Sequence, residues 1–244
     1  MIEIRRSQNE PQEKIKDSYD RIYSEKGLRQ NDSFYLWLLR LLKPNPGKTL
    51  IDISCGEGRL VSLAVQMGLQ ATGVDFSFSA VSIGSRESPN LNWCIGNGEC
   101  LPFRSHSFDY LTHIGSLEHY MDPQKGANEI QRLLKPDGTA CILLPNTFGL
   151  LGNILYNLRH GDVFDDGQPL QRYGTLQVWK NILESAGLSL LHTYGYIGSG
   201  AVWPATRQDA LWMISHPQKI LRYLVGKTIP TAFHNHLVFI CRSR

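Results

Sequence analysis

The stretch TLIDISCGEGRL, Thr49–Leu60, decides the reading of this chain. Leu50, Ile51 and Ile53 form a short apolar run that reads as a buried strand. Leu60, Leu63, Ala64 and Met67 then recur at i, i+3, i+4 and i+7, one face of a helix. Between them lies a turn of small residues: Ser54, Cys55, Gly56 and Gly58. Such a strand–turn–helix leaves N–H groups free at the helix start, and its glycines let a ligand approach the main chain. Asp52 stands just ahead of the turn, and Asp75 ends the next strand-like run, ATGVDFS. An acidic side chain there can accept both hydroxyls of a ribose.

Outward from this stretch, strand-like and helix-like segments alternate. Strands are predicted near 49–54, 71–76, 91–95, 108–114 and 139–145, and helices near 59–67, 77–86, 123–135 and 175–186. Upstream, Tyr35, Leu38, Leu39 and Leu42 make a helix face, with Asp32 and Ser33 as caps and Pro44, Pro46 and Gly47 as the stop. LSLLHTYGY and HLVFICRS read as two further strands. The pattern predicts an α/β fold: a mostly parallel sheet with helices on both faces. The expected organisation is one domain over 1–244, with a helical N-terminal cover (1–47), a ligand-binding core (48–146) and two inserts (147–173 and 197–233). In open sheets of this class ligands sit beyond the carboxyl ends of the strands. The first insert leaves from such an end, so the inserts are read as a lid.

Of the 244 residues, 42% are hydrophobic and 19% charged, which is ordinary for a soluble globule. With 25 Lys plus Arg against 22 Asp plus Glu the net charge is +3, with no basic stripe to suit a nucleic acid. The first twenty residues carry no signal-peptide core, and the longest apolar run, FYLWLLRLL, is too short to span a bilayer. Five cysteines show no metal-ligand spacing and read as buried thiols of a cytoplasmic protein. His234 and His236 share a spacing that puts both on one side of a strand, but no carboxylate or cysteine accompanies them, so no metal is expected.

A nicotinamide dinucleotide would bring a pyrophosphate, and the third glycine of its fingerprint is replaced here by Val61. Asp52 would repel phosphate and suit an ammonium group. S-adenosylmethionine has an α-amine, a carboxylate and a sulfonium, and no phosphate. LIDISCGEGRL resembles the first motif of class I S-adenosylmethionine-dependent methyltransferases, hydrophobic-D-hydrophobic-G-C-G-x-G. GNGECLPFRSHSFDYLTHIGSLEHYMDP, Gly96–Pro123, resembles that family's G-D-A-E-x-L-P-F segment and its L-E-H-x-x-D-P tail. EIQRLLKPDGTACILLPN, Glu129–Asn146, is similar to its E-x-x-R-x-L-K-P-G-G segment. The three stand in family order over roughly residues 48–146, and the likeness is to the small-molecule, quinone-biosynthesis-like members.

The resemblance implies a Rossmann-like seven-stranded sheet whose last strand is antiparallel. It implies a methyl group passed from S-adenosylmethionine to a small-molecule acceptor by in-line displacement, leaving S-adenosylhomocysteine. Asp52 and the Ser54, Cys55, Gly56 and Gly58 turn would face the methionine part of the cofactor. Asp75 would hold the ribose, Phe76 would lie against the adenine, and Asn97 and Gly98 would meet the ring's edge. His113, Ile114 and Gly115 would line the methionine end. Ser54 replaces the motif's first glycine, so an ordinary backbone dihedral is expected there; Asp137 also replaces a glycine.

Catalytic residues are less legible, because the cofactor itself supplies the reactive carbon. His119 is the candidate base, suited to proton transfer near neutral pH; the other reading is that Glu118 and His119 hold their loop by hydrogen bonds. Tyr19, Tyr23 and Tyr173 are candidates to line the substrate site, with simple packing as the alternative. Two rival readings of the whole chain remain at this level. One is a nonenzymatic S-adenosylmethionine-binding protein; the other, weaker, is an NAD(P)-dependent oxidoreductase.

Overall fold

A computed structural model describes residues 1–5, 12–25, 29–198 and 202–244. Parts of the expected N-terminal cover (6–11 and 26–28) and of the second insert (199–201) lie outside the described residues. The strands are β1 Ile2–Arg5, β2 Thr49–Ile53, β3 Gln70–Asp75, β4 Asn92–Ile95, β5 Phe108–Ile114, β6 Leu134–Pro145, β7 Leu170–Tyr173, β8 Leu188–Tyr196 and β9 His236–Ser243. The helices are α1 Gln12–Glu25, α2 Asp32–Leu41, α3 Arg59–Gln66, α4 Phe78–Glu87, α5 Pro123–Leu133, α6 Leu155–His160, α7 Leu176–Ser185, α8 Arg207–Ser215 and α9 Pro217–Thr228.

Seven strands form one sheet in the order β4-β3-β2-β5-β6-β9-β8. Neighbours from β4 to β6 are parallel, and β9 inserts antiparallel between β6 and β8. This is the mostly parallel sheet with an antiparallel last strand that the motifs imply. The order turns back at β2, which lies between β3 and β5. A crevice opens beyond the carboxyl ends of strands at such a switch point.

Strand side chains alternate between faces, so consecutive residues enter different cores. Ile142, Leu144, Leu237 and Phe239 pack on one side with Ile130 of α5 and Trp179 of α7. Cys141, Leu143, Val238 and Ile240 pack on the other with Leu38 of α2 and Leu60 and Leu63 of α3. Trp179 is fully buried, and its indole N–H donates to the Pro145 carbonyl at 2.8 Å, which satisfies its polar edge.

The structure corrects the sequence reading of the N-terminal segment. Asn31 caps α2 by accepting from the Phe34 N–H at 3.0 Å, not Asp32 or Ser33. Asp32 instead forms a fork with Arg59, and buried Ser33 donates to Asp209 of α8 through N–H (2.8 Å) and hydroxyl (2.5 Å). The N-terminus, read as polar and partly helical, begins with β1, paired antiparallel with β7 as a separate two-stranded sheet, Ile2 opposite Tyr173. A four-residue run whose partner lies far along the chain has no periodicity to reveal it.

Gly58 is held by packing, not by ligand access. It starts α3 at φ +72°, and a Cβ there would sit 2.1 Å from the Trp93 ring. Trp93 is wedged between Gly58 and Gly84 of α4 and donates to the Ser88 carbonyl at 3.1 Å. Gly58→Ala is expected to lower stability by about 2–3 kcal/mol through overpacking and a disfavoured φ. A urea midpoint equal to wild type would show that Trp93 gives way freely.

Candidate cofactor and acceptor site

Five segments meet beyond the strand ends. From β2 comes Asp52, buried, accepting from the Thr112 hydroxyl of β5 at 2.7 Å. Burial pushes its carboxyl up to about 7, against the pull of that hydrogen bond. The turn that follows has positive φ at Ser54 (+58°), Gly56 (+55°) and Gly58 (+72°). The ordinary dihedral expected at Ser54 is therefore overturned: the turn needs the left-handed form whichever residue stands there, at a cost on the order of 1 kcal/mol for a non-glycine. Asp137 shows the same at φ +61°. Ser54 is small, and its hydroxyl lies 3.1 Å from the Tyr120 hydroxyl.

Asp75, at the end of β3, joins two turns. One carboxylate oxygen accepts the Gly56 N–H at 2.7 Å and the other the Ser77 N–H at 2.8 Å. Burial raises its pKa to about 6, partly offset by those backbone donors. Each oxygen keeps a further lone pair for a ligand hydroxyl. Phe76 follows, half-buried. After β4, the Asn97 amide oxygen accepts the Glu99 N–H at 2.9 Å, which leaves it one lone pair. Gly98 lies under Tyr120, whose hydroxyl would be 1.8 Å from a Cβ.

After β5, Ile114 and Gly115 line the site, whereas His113 is turned away from it. His113 is fully buried, its Nε2 is 2.9 Å from the Tyr120 hydroxyl, and burial drives its pKa down to about 3, so the ring is neutral. Tyr120 thus sits between His113, Ser54 and Gly98. Sequence reasoning overlooked it, because only the folded chain brings its ring against Gly98 and Gly126.

His119 donates Nδ1–H to the Leu170 carbonyl of β7 at 2.5 Å. A carbonyl can only accept, so in the neutral ring the Nε2 lone pair is free. That nitrogen lies 3.8 Å from a Glu118 oxygen and 4.0 Å from an Asp166 oxygen. Burial lowers the His119 pKa and lifts the Glu118 carboxyl to about 8. The loop is braced by Arg172 of β7, which donates to the carbonyls of Glu118, Tyr120 and Met121 and pairs with Glu3 of β1 at 2.7 Å. The loop is thus tied down through His119 and Arg172, while one Glu118 carboxyl oxygen is buried without a hydrogen-bond partner among the described residues.

Helix α1 covers the turn. Asp20 accepts the Ser77 hydroxyl at 2.5 Å and the Ser79 N–H at 3.0 Å, which pins α1 to the start of α4. Tyr23 lies over Gly56, where a Cβ would meet its hydroxyl at 2.9 Å. Tyr19 donates to Gln168 of the first insert at 2.8 Å.

Two cavities result. The smaller, about 110 Å³, is lined by Asp75, Phe76, Asn97, Gly98, Tyr19 and Tyr120 among others. The larger, about 670 Å³, runs from Asp52, Cys55 and Gly56 under the inserts to Tyr156, Phe164, Tyr173 and Tyr196. Tyr173 lines it with its ring, while its hydroxyl donates to the Phe164 carbonyl at 2.8 Å. The cavities meet at Tyr23, Ser54, Gly115, Ser116, His119 and Gln168. Of the histidines weighed for metal, His234 contacts the Gly226 carbonyl through Nε2 at 2.9 Å, and His236 is half-buried with its Nδ1 enclosed and unpartnered among the described residues. No group of three metal-ligating side chains occurs among the described residues.

Residues 51–142 match the protein family described as a methyltransferase domain. The chain is 30% identical over 140 residues to 2-phytyl-1,4-naphtoquinone methyltransferase of Nostoc sp. (strain PCC 7120), an overlap of 54% of this chain and 61% of that protein. The chain spans 39 to 61% of the length of the curated relatives it matches. The solved structure of the [4+2]-cyclase SpnF resembles this one with a TM-score of 0.65 at 18% identity, over 94% of this chain and 95% of that one. Phosphoethanolamine N-methyltransferase 2 of Haemonchus contortus, solved with S-adenosyl-L-methionine, gives 0.64 at 18% identity, over 94% of this chain and 60% of that one. At these identities the structures establish a shared α/β fold.

At pH 7 the His119 ring is expected to be neutral, protonated on Nδ1 and bare on Nε2. Long-range proton–nitrogen NMR correlations check this, and a cationic ring or the opposite tautomer would contradict the geometry.

Proposed function

We propose that this chain, whose residues 51–142 form a methyltransferase domain, transfers a methyl group from S-adenosylmethionine to a small, flat, apolar acceptor. The observation that carries the reading is the junction of the two cavities. A recess with a buried carboxylate opens, past Ser54 and His119, into a larger chamber whose lining includes the rings of Tyr156, Phe164, Tyr173 and Tyr196. The residues present fit the cofactor. Asp52 and Asp75 are buried carboxylates with no cationic partner among the described residues, and the ligand carries positive charge and no phosphate. The same carboxylates disfavour a dinucleotide's pyrophosphate, which weighs against the oxidoreductase reading.

Asp75 would accept the ribose hydroxyls through its remaining lone pairs, and Phe76 would lie against the adenine. Asp52 and the Ser54–Gly56 backbone would hold the amino-acid end, with Tyr23 closing over it. When bound, S-adenosylmethionine supplies an electrophilic methyl carbon and a neutral leaving group. The chain's part is to align the acceptor, exclude water and take up a proton; alignment alone can supply about 7–11 kcal/mol. The rings of Tyr156, Phe164, Tyr173 and Tyr196 would orient a flat acceptor, a class consistent with the naphthoquinone in the name of the Nostoc relative. His119 Nε2, at the junction, would receive the proton from the acceptor's nucleophile. Neutral Glu118 beside it would place no negative charge there to hold the ring protonated at pH 7.

Titration calorimetry should show S-adenosylhomocysteine binding, weakened at least about tenfold by Asp75→Ala, the loss of a charge-assisted contact. Unchanged affinity would contradict the ribose role. His119→Ala should lower turnover about 10²-fold or more while cofactor affinity stays near wild type. Binding without transfer across a broad panel of acceptors would favour the nonenzymatic reading. The cationic ligand requires ionised carboxylates. Their raised pKa values, about 7 for Asp52 and about 6 for Asp75, mean that protons are taken up as pH falls through 7 and then 6. Affinity for S-adenosylmethionine should therefore fall by about tenfold from pH 8 to pH 6. Asp52→Asn should flatten most of that slope.

A further inference from the structure

Helices α8 and α9 face the wrong way for a surface hairpin. An amphipathic helix normally turns its apolar stripe inward. In α8 the inward positions are Asp209 and Met213, and Leu211 and Ile214 point out, 60% and 70% exposed. In α9, Gly226 is buried and Arg222 turns in to line the large cavity, while Ile220, Leu221 and Leu224 point out, Leu221 at 64%. Trp203, 70% exposed, packs beside Tyr223 with ring centroids 5.7 Å apart and extends the same apolar surface.

The charge around this surface has one sign. Between 203 and 233 the acidic residue is Asp209, which is buried and accepts from Ser33. Arg207 and Lys227 are exposed, Lys219 sits over the Trp212 ring at 5.3 Å, and Lys227 lies over the Tyr223 ring at 4.9 Å. Long basic side chains thus rim an outward face of leucine, isoleucine and tryptophan. That combination suits the headgroup layer of a bilayer carrying negative charge. It suits a second copy of the chain poorly, since a two-fold contact would bring Arg207, Lys219 and Lys227 against their own kind with no carboxylate on the face.

We propose that the α8–α9 hairpin is a docking surface for an anionic lipid bilayer, lying in the interface without crossing it. No helix among the described residues is long and apolar enough to span a membrane. Arg222, on the inner side of α9, lines the acceptor cavity and donates to the Leu151 carbonyl at 3.2 Å. Docking would hold that end of the cavity against the lipid. The inference stands apart from methyl transfer and is tested without it.

The full chain is floated with vesicles of phosphatidylcholine alone and with vesicles containing about one quarter phosphatidylglycerol; partition onto the charged vesicles should be about tenfold or more higher, and should fall with added salt. Leu221→Gln/Leu224→Gln should reduce it to the neutral level while circular dichroism and the thermal unfolding midpoint match wild type. Arg207→Glu/Lys227→Glu, which leaves the apolar residues in place, gives the same readout should the first variant fail to fold. Absence of flotation on charged vesicles, or equal flotation of a folded variant, overturns the proposal. So does a stable dimer in lipid-free solution that either variant dissociates, which would assign the face to a second copy.

Discussion

The bond from the Gly56 N–H to the Asp75 carboxylate organises the ligand-facing end of the sheet. It ties the turn after β2 to the turn after β3, and the second oxygen of the same carboxylate takes the Ser77 N–H at the start of α4. A carboxylate is well suited to this, since it offers about four acceptor positions and uses two of them on the backbone. Its burial is costly, and two N–H donors offset part of that cost. The positive φ values at Ser54, Gly56 and Gly58 follow from bringing the first turn within reach.

Around this bond the structure builds two walls of different character. On the inner wall, Asp52, Asp75 and Glu118 are buried carboxyl groups raised by desolvation, an environment that calls for a cation or a proton. The outer wall mixes the rings of Tyr156, Phe164, Tyr173 and Tyr196 with polar side chains such as Asn153, Arg222 and Asn235. Tyr120 links three inner elements, the Ser54 turn, neutral His113 and the backbone at Gly98. Arg172 braces the His119 loop from β7, and β7 is in turn held by β1. The N-terminus therefore contributes to the site through a short strand and a helix that meet it from different directions.

The lid has its own logic. Asn146, at the exit from β6, donates its amide to the Ala232 and His234 carbonyls at 2.7 and 2.8 Å, so both inserts are anchored at one point. Asp209 and Ser33 anchor α8 to α2. The two helices present leucine and isoleucine outward.

The local pattern of this chain determined a good deal. Alternating apolar runs predicted the five strands of the parallel half and the helices between them, because period and chain direction are local properties. The turn after Ile53, its acidic neighbours and the order of three motifs pointed to a phosphate-free nucleoside ligand. Contacts between distant segments were not legible: β1 with β7, Asn31 displacing Asp32 as the cap, Tyr120 over Gly98, and Gly58 filled by Trp93 while His113 turns inward. Ser54 adopts a left-handed backbone because the geometry of the turn, not its own side chain, sets φ. What the sequence by itself determined was the set of elements and the kind of chemistry at the strand ends. Which side chains reach the cavity was decided only by the tertiary structure, because direction and burial depend on what packs against each residue from far along the chain.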